Sequence, residues 1–374
     1  MSNYQPMALG QLQQFLSNGF EPRGGLTQLS HIQAAAHVLR MKQAPYIMYE
    51  IDTQLKNALL VGVDMEWYES NPQFITELGL SSLPLPPQST TGLLGKPIHT
   101  LNNMKVHHLR LKENAHMVNG EKCEGHPEAF QFGTTCFVNT AEAKQALTDI
   151  FVRYDTNGNL RPIVLFGHAV DNDINTLREK IGFDLAALGV IVLVLDTQVM
   201  AQELGLGSGN SMSLKNILAQ YSVEEKYLHN AGNDIAQAMV AASLLAGEYV
   251  TGRGRYQPEN QADVDSLKAT VRNRQMLHWG TEVFCTNCNS NDHFVRQCPN
   301  TYLCTRCVNN PYWKHKATTH PVEKCVRPPF PCKACVESTS LTRQRDSMTH
   351  YVEDCPYEKC ESGGLFIPPQ HYAK

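Results

Sequence analysis

The chain has 374 residues, of which 42% are hydrophobic and 18% charged, with a formal net charge of −4. That is ample apolar content for one large domain or two modest ones, and the charge excludes a polycation that coats nucleic acid by charge alone. No uninterrupted apolar run reaches the roughly 18 residues of a membrane span, and MSNYQPMALGQLQQ lacks the basic start and apolar stretch of a signal peptide. An intracellular, non-secreted protein of cytoplasm or nucleus is expected. Twelve cysteines stand out, ten of them between 285 and 360; without an export signal, such crowding favours thiolate–metal chemistry over disulfides.

Charge divides the chain near residue 270. Residues 1–270 carry 19 Lys+Arg against 27 Asp+Glu, and residues 271–374 carry 13 against 9, so an acidic body precedes a basic, cysteine-rich tail. In chain order, residues 1–45 read as an N-terminal extension with helices at 9–18 and 29–41. Strands are expected at 58–67, 75–83 and 105–113, followed by a polar, irregular insertion, NAHMVNGEKCEGHPEAF. Cys123 with His126 in that insertion is a chance neighbourhood more often than a metal site, and Cys136 reads as a buried strand residue. Apolar residues at 143, 146, 147, 150 and 151 predict a helix over 141–154. A strand at 161–170 opens into the helix DNDINTLREKIG, and the β-branched run 189–198 predicts a central strand. Helices MSLKNILAQY and NDIAQAMVAASLLAGEY close a body spanning 46–252. A linker at 253–283 holds a moderately amphipathic helix at 262–278, three zinc modules fill 284–360, and 361–374 form a C-terminal tail. Three early strands followed by helix–strand alternation predict an α/β mixed sheet flanked by helices on both faces.

Four carboxylates sit where such a sheet brings strand ends and helix starts together. Asp64 and Glu66 are two apart at a strand end and so share a face; Asp173 lies in the first turn after the 161–170 strand and Asp234 near the start of the next long helix. Clustered carboxylates need cations, and hard oxygen donors with open positions suit two Mg²⁺ or Mn²⁺ ions, the arrangement used in two-metal phosphodiester hydrolysis. Taken singly these residues read as solvated loop or helix-start charges, and Asp171 competes with Asp173 as the ligand.

Asp64-Met65-Glu66 resembles the first motif, D-x-E, of the DnaQ-like DEDDh 3′–5′ exonucleases of the ribonuclease H-like fold. Gly167-His168-Ala169-Val170-Asp171-Asn172-Asp173 is similar to the second motif, with Ala169 where Asn is usual and Asn172 where an aromatic is usual. His229-Asn230-Ala231-Gly232-Asn233-Asp234 matches the third motif, H-x-A-x-x-D, and Asp196-Thr197 also looks like this family. His at 229, rather than Tyr at 230, places the resemblance in the DEDDh branch, and its wording is closest to fungal members linked to RNA metabolism and silencing. The resemblance implies a ribonuclease H-like fold, with Asp64, Glu66 and Asp234 on one metal, Asp64 and Asp173 on a second, and His229 as general base.

The tail is a threefold repeat. Cys285-x₂-Cys288-x₄-His293-x₄-Cys298 has the pattern of a CCHC zinc knuckle; Cys304, Cys307, His320 and Cys325 form a second unit, and Cys332, Cys335, His350 and Cys355 a third. Three thiolates and one imidazole make a closed, structural Zn²⁺ site, so three Zn²⁺ ions are expected. His315 competes with His320, Cys360 with His350, and an interleaved RING-like brace with sequential modules. Three zinc sites of net −1 would lower the tail's formal charge from +4 to about +1, so stacking on unpaired bases outweighs charge in the expected binding. Phe294, Trp313 and Tyr351 are the stacking candidates, although Phe294 and Tyr351 equally read as packing for the zinc cores. Arg296 and Lys314, with Arg306, Lys316, Lys333, Arg343 and Arg345, can meet phosphates. The expected activity is metal-dependent 3′–5′ hydrolysis of single-stranded nucleic acid, RNA favoured over DNA, with protein partners in RNA silencing or processing. The alternatives are a catalytically silent RNA-binding scaffold and a zinc-tail protein-interaction module.

Overall fold

The computed structural model describes residues 30–42, 55, 57–84, 96–120, 123–207, 211–252, 259–273, 279–300, 304–308, 314–325, 332–347, 355 and 357. The expected helix at 9–18 and residues His350, Cys360, Trp313 and Tyr351 lie outside them.

Six strands form one mixed sheet: β1 Leu59–Trp67, β2 Ile75–Pro84, β3 Lys105–Leu111, β4 Thr135–Val138, β5 Ile163–Gly167 and β6 Ile191–Asp196, in the order β4-β3-β2-β1-β5-β6. β1, β2 and β3 run antiparallel in sequence, while β4 lies parallel to β3, β5 to β1 and β6 to β5. This is the ribonuclease H-like α/β fold. The run 189–198, expected at the centre, is the edge strand β6. Continuous apolar character reports cover on both faces, not the number of strand neighbours; β6 is flanked by helices although, among the described residues, it pairs only with β5.

Strand alternation divides the core. Leu59, Val61, Val63 and Met65 face a layer built on α2 (Thr140–Phe151), whereas Leu60 faces the layer built on the long helix α6 (Ala231–Thr251). α2 starts where Asn139 and Glu142 make a reciprocal capping box. The helix expected over 171–182 is α3 (Asp171–Thr176) running into a π turn at Leu177–Ile181. α4 (Thr197–Glu203) and α5 (Leu214–Gln220) complete the face around α6.

Two segments expected outside the body are part of it. Helix α1 (His31–Val38) buries Ile32 and Val38 in the α6-side core. Its first N–H groups donate to the Glu203 carboxylate at 2.9 and 2.7 Å, an anion at a helix start. The expected linker likewise packs down: α7 (Glu259–Arg272) buries Val264, Leu267 and Val271 in the same core. Trp279 then enters the opposite core, and Thr281 bridges to Phe137 on β4. Among the described residues no helix is long and apolar enough to cross a membrane.

Candidate active site and zinc centres

On β1, Gly62, Asp64 and Glu66 follow Leu60 on the face toward α6. A Cβ on Gly62 would stand 2.6 Å from Ile235, and one on Gly79 of β2 only 1.9 Å from the Ala231 carbonyl oxygen. Bare backbone at these two positions lets the start of α6 lie directly on the sheet, beside the two acidic residues of β1. Asn230 caps α6, its side chain accepting from the Asn233 N–H at 3.0 Å.

Ligand atoms of Glu66, His229 and Asp234 lie within 4.8 Å of one another. Asp64 joins His229 and Asp234 in lining a cleft of about 440 Å³. Asp173, 1% exposed, reaches β1 from α3, its Oδ1 accepting the Met65 N–H at 3.0 Å, whereas Asp171 is exposed. The chain thus assembles Glu66, His229 and Asp234 tightly, with Asp64 on the same cleft and Asp173 on the backbone between Asp64 and Glu66. The carboxylate oxygens of this set fit a hard divalent ion such as Mg²⁺ or Mn²⁺.

The turn between β5 and α3 is held from β6. Asp196 accepts the Val170 N–H at 3.0 Å and the Gln198 N–H at 2.7 Å, and burial pushes its carboxyl above the ordinary range. The Thr197 hydroxyl stands 2.7 Å from His168 Nδ1. Ala169, where Asn is usual in the resembled motif, has φ +58°, a left-handed conformation that Asn tolerates better than Ala.

Sequence reasoning passed over the insertion, which is one wall of the cleft. The His126 N–H donates to the His229 carbonyl at 3.1 Å, and Asn230 Nδ2 donates to the His126 carbonyl at 3.0 Å. Asn233 accepts from the Gln131 N–H and donates to the carbonyls of Ala129 and Tyr227. Beneath, Glu77 Oε2 sits 2.9 Å from His108 Nε2 and accepts the Ala231 N–H at 3.1 Å; despite the opposing cost of burial, these contacts hold its carboxyl below the usual range. The only sequence signal for this buttress was the Asn230/Asn233 spacing at a helix start. Exposed Lys215 and Lys226 also line the cleft, and no motif marked them.

In the tail, Cys285, Cys288, His293 and Cys298 form one group, Cys304, Cys307, His320 and Cys325 a second, and Cys332, Cys335 and Cys355 a third. The groups are sequential, not interleaved, and His320 rather than the exposed His315 belongs to the second. Cys288 Sγ lies 3.4 Å from His293 Nε2, Cys307 Sγ 3.8 Å from Cys325 Sγ, and Cys335 Sγ 3.5 Å from Cys355 Sγ. A tetrahedron with metal–sulfur bonds of about 2.3 Å has edges of about 3.7 Å, so these separations fit zinc. The buried cluster of the second module is Cys304, Cys307, Ala317 and Cys325, three of them thiols, with Val308 and Val322 packed against it; with so little apolar surface, a bound metal would supply most of the module's folding energy.

The modules touch the body. Phe284, leading into the first, packs on Phe137 with ring centroids 5.4 Å apart. In the second, Lys316 Nζ lies 5.5 Å from the centre of the Tyr68 ring, and the Lys324 carbonyl meets His116 Nε2 at 3.2 Å. Phe294, Arg296 and Lys314 are all exposed, Phe294 at 45%.

A family model described as DNA polymerase III subunit epsilon-like, C-terminal domain, of the DEDDh class, matches residues 59–245. The chain belongs to the DEDDh exonuclease family. The matched span runs from the first residue of β1 into α6 and so includes Asp64, Glu66, Asp173, His229 and Asp234. An uncharacterized nucleolar protein of Schizosaccharomyces pombe is 29% identical to this DEDDh chain over 226 residues, 58% of this chain and 80% of that protein. Two exonuclease I structures, one of them the zinc-bound Escherichia coli enzyme with single-stranded DNA, share 11% identity at a TM-score of 0.33. They are covered over 56% of this chain and 43% of their own length, so the chain spans less than half of each, and a likeness that low carries no argument.

Proposed function

We propose that this DEDDh chain is a 3′–5′ exonuclease on single-stranded nucleic acid, RNA favoured over DNA, with Asp64, Glu66, Asp173 and Asp234 holding two Mg²⁺ or Mn²⁺ ions. The convergence of Glu66, His229 and Asp234 beside Asp64 in one cleft carries this reading. Bound there, the ions supply charge stabilisation and a more acidic water. His229 receives the proton of the attacking water on a ring nitrogen; histidine suits this because its ordinary pKa, about 6.5, lies near working pH. Lys215 and Lys226, exposed on the cleft, draw the phosphodiester backbone in. The three zinc modules hold the strand through exposed Phe294, Arg296 and Lys314, with Trp313 and Tyr351 adding further stacking surfaces. The protein is intracellular in this reading, and its nucleolar relative makes RNA processing the setting to test first.

The test is digestion of matched 3′-labelled RNA and DNA strands with Mg²⁺ or Mn²⁺, comparing wild type with Asp64→Ala and His229→Ala. Mononucleotide release from the 3′ end, slowed at least about a hundredfold in both variants, supports the reading. Tight RNA binding with no nucleotide released identifies a silent scaffold instead.

A further inference from the structure

The loop that walls the catalytic cleft has a second cavity behind it. Cys123, Glu124 and His126 line the cleft, whereas the next residues, Pro127 and Glu128, line a groove of about 400 Å³ between the sheet edge and the first zinc module. Phe137 of β4 and Phe284, each 4% exposed with their rings tilted by 36°, line it together with Phe294 and Val295 of the zinc module. Phe294 and Val295 remain 45% and 36% exposed, so this aromatic surface is not used up by the module's own packing. Arg110, 5% exposed, also lines the groove; its guanidinium lies 5.2 Å from the centre of the Phe137 ring and donates to the Ala115 carbonyl at 2.5 Å, and its Nε–H meets no acceptor among the described residues.

We propose that this groove is a pocket for one unpaired nucleobase of the strand whose 3′ end occupies the catalytic cleft, and that it selects bases bearing an exocyclic amino group. The proposal rests on the exonuclease reading and adds a base-selective subsite to it. Aromatic walls take any base by stacking. Two carboxylates, Glu128 and Glu282, line the same groove and are both exposed. They repel phosphate, which keeps the backbone outside, and they accept hydrogen bonds from amino groups of cytosine, adenine or guanine. Uracil and thymine have no amino group, and their one Watson–Crick donor, N3–H, is flanked by two carbonyl oxygens that a carboxylate repels. Arg296 stands at the rim, 3.5 Å from Glu128 with both side chains largely exposed, so that pair is weak enough to exchange for a phosphate contact. In the proposed path the strand leaves the cleft past the exposed Glu128, stacks one base on Phe294 and sets a phosphate beside Arg296.

The experiment measures fluorescence anisotropy of labelled oligocytidylate and oligouridylate on the full-length, zinc-loaded protein without Mg²⁺ or Mn²⁺. Hydrolysis of bis(p-nitrophenyl) phosphate by the wild type with Mn²⁺ reads the catalytic centre independently of any strand. Oligocytidylate is expected to bind more tightly than oligouridylate, and Phe294→Ala to weaken oligocytidylate about 5- to 150-fold with zinc content unchanged. Glu128→Ala combined with Glu282→Ala is expected to erase the preference for oligocytidylate without weakening oligouridylate. Unchanged oligocytidylate binding in Phe294→Ala, or a preference that survives loss of both carboxylates, overturns the pocket while aryl ester hydrolysis leaves the exonuclease reading standing. Absence of ester hydrolysis by the wild type counts against both.

Discussion

The backbone N–H of His229 donates to Oδ2 of Asp234 at 3.0 Å, and His229 itself has φ +61°. A left-handed non-glycine residue costs on the order of 1–3 kcal/mol and persists only where its surroundings over-determine it. Here they do, since the His229 carbonyl is held by the His126 N–H and the next residue caps α6. In Asp234→Asn the side-chain oxygen can still accept from His229, but the negative charge is gone. We expect a thermal midpoint within a few degrees of wild type and at least about a hundredfold loss of nuclease activity, checked by calorimetry alongside the labelled-strand assay. A large fall in midpoint instead would mean that Asp234 is chiefly structural.

Close approach of α6 to the sheet sets a second expectation. A Cβ on Gly79 would meet backbone, the Ala231 carbonyl oxygen at 1.9 Å, whereas one on Gly62 would meet the side chains of Ser81 and Ile235 at 2.4 and 2.6 Å. Side chains can shift more cheaply than a helix backbone. Gly62→Ala should therefore cost about 1–3 kcal/mol and Gly79→Ala more than about 3 kcal/mol, an ordering that urea melts would reveal or reverse.

Ala169, at φ +58°, offers a gain. Gly removes the Cβ clash of the left-handed conformation but adds entropy to the unfolded chain, leaving a net stabilisation of about 0.5–1 kcal/mol for Ala169→Gly. An equal or lower urea midpoint would show that the turn is not strained.

Acid should act through Glu77. Its carboxyl is held below the ordinary 4.5 because, against the cost of burial, His108, the Arg110 charge and the Ala231 N–H stabilise the charged form. A depressed carboxylate contributes stability that is fully present above about pH 4.5 and is lost as pH falls through the lower folded value. Glu77→Gln should lose about 1–3 kcal/mol near neutrality and show a shallower decline of stability below pH 4.5. Parallel acid profiles for the two proteins would remove Glu77 from the account.

Zinc content gives a direct count. Elemental analysis should find three zinc ions per chain and one fewer in Cys307→Ser, because the second module has little but its thiols at its centre. Loss of that module also uncovers His116, whose imidazole burial now pushes down to about 4. A full zinc complement in the variant would mean that Cys307 is not a ligand.

Much of the fold was legible because local rules generate it. Alternation placed β1, β2 and β3 within about two residues of their observed ends, and the apolar spacing at 143, 146, 147, 150 and 151 marked the buried face of α2. Where local rules fall silent, the reading failed. The run ending in Asp196 looked central because helices cover it, and periodicity cannot tell covered edges from inner strands. The insertion from Asn114 to Phe130 looked irregular because its order comes from His126, Ala129 and Gln131 bonding to the start of α6, about 100 residues further on. α1 and α7 looked detached because nothing in a short amphipathic helix names the surface it will cover.

The sequence by itself determined the candidate donors and their order: two carboxylates two apart at the end of a strand, Asp173 and Asp234 at helix starts, His229 ahead of the last, and three thiol-rich units in tandem. Spacing suffices there because a strand's period of two and a short metal loop are local geometry. Only the tertiary structure decided that Gly62 and Gly79 let α6 descend onto β1 and bring Glu66, His229 and Asp234 within 4.8 Å. It also decided that one loop divides the carboxylate-lined cleft from a groove shared with the first thiol-rich module. Those distances join residues far apart in the chain, and close packing, not spacing along the backbone, sets them.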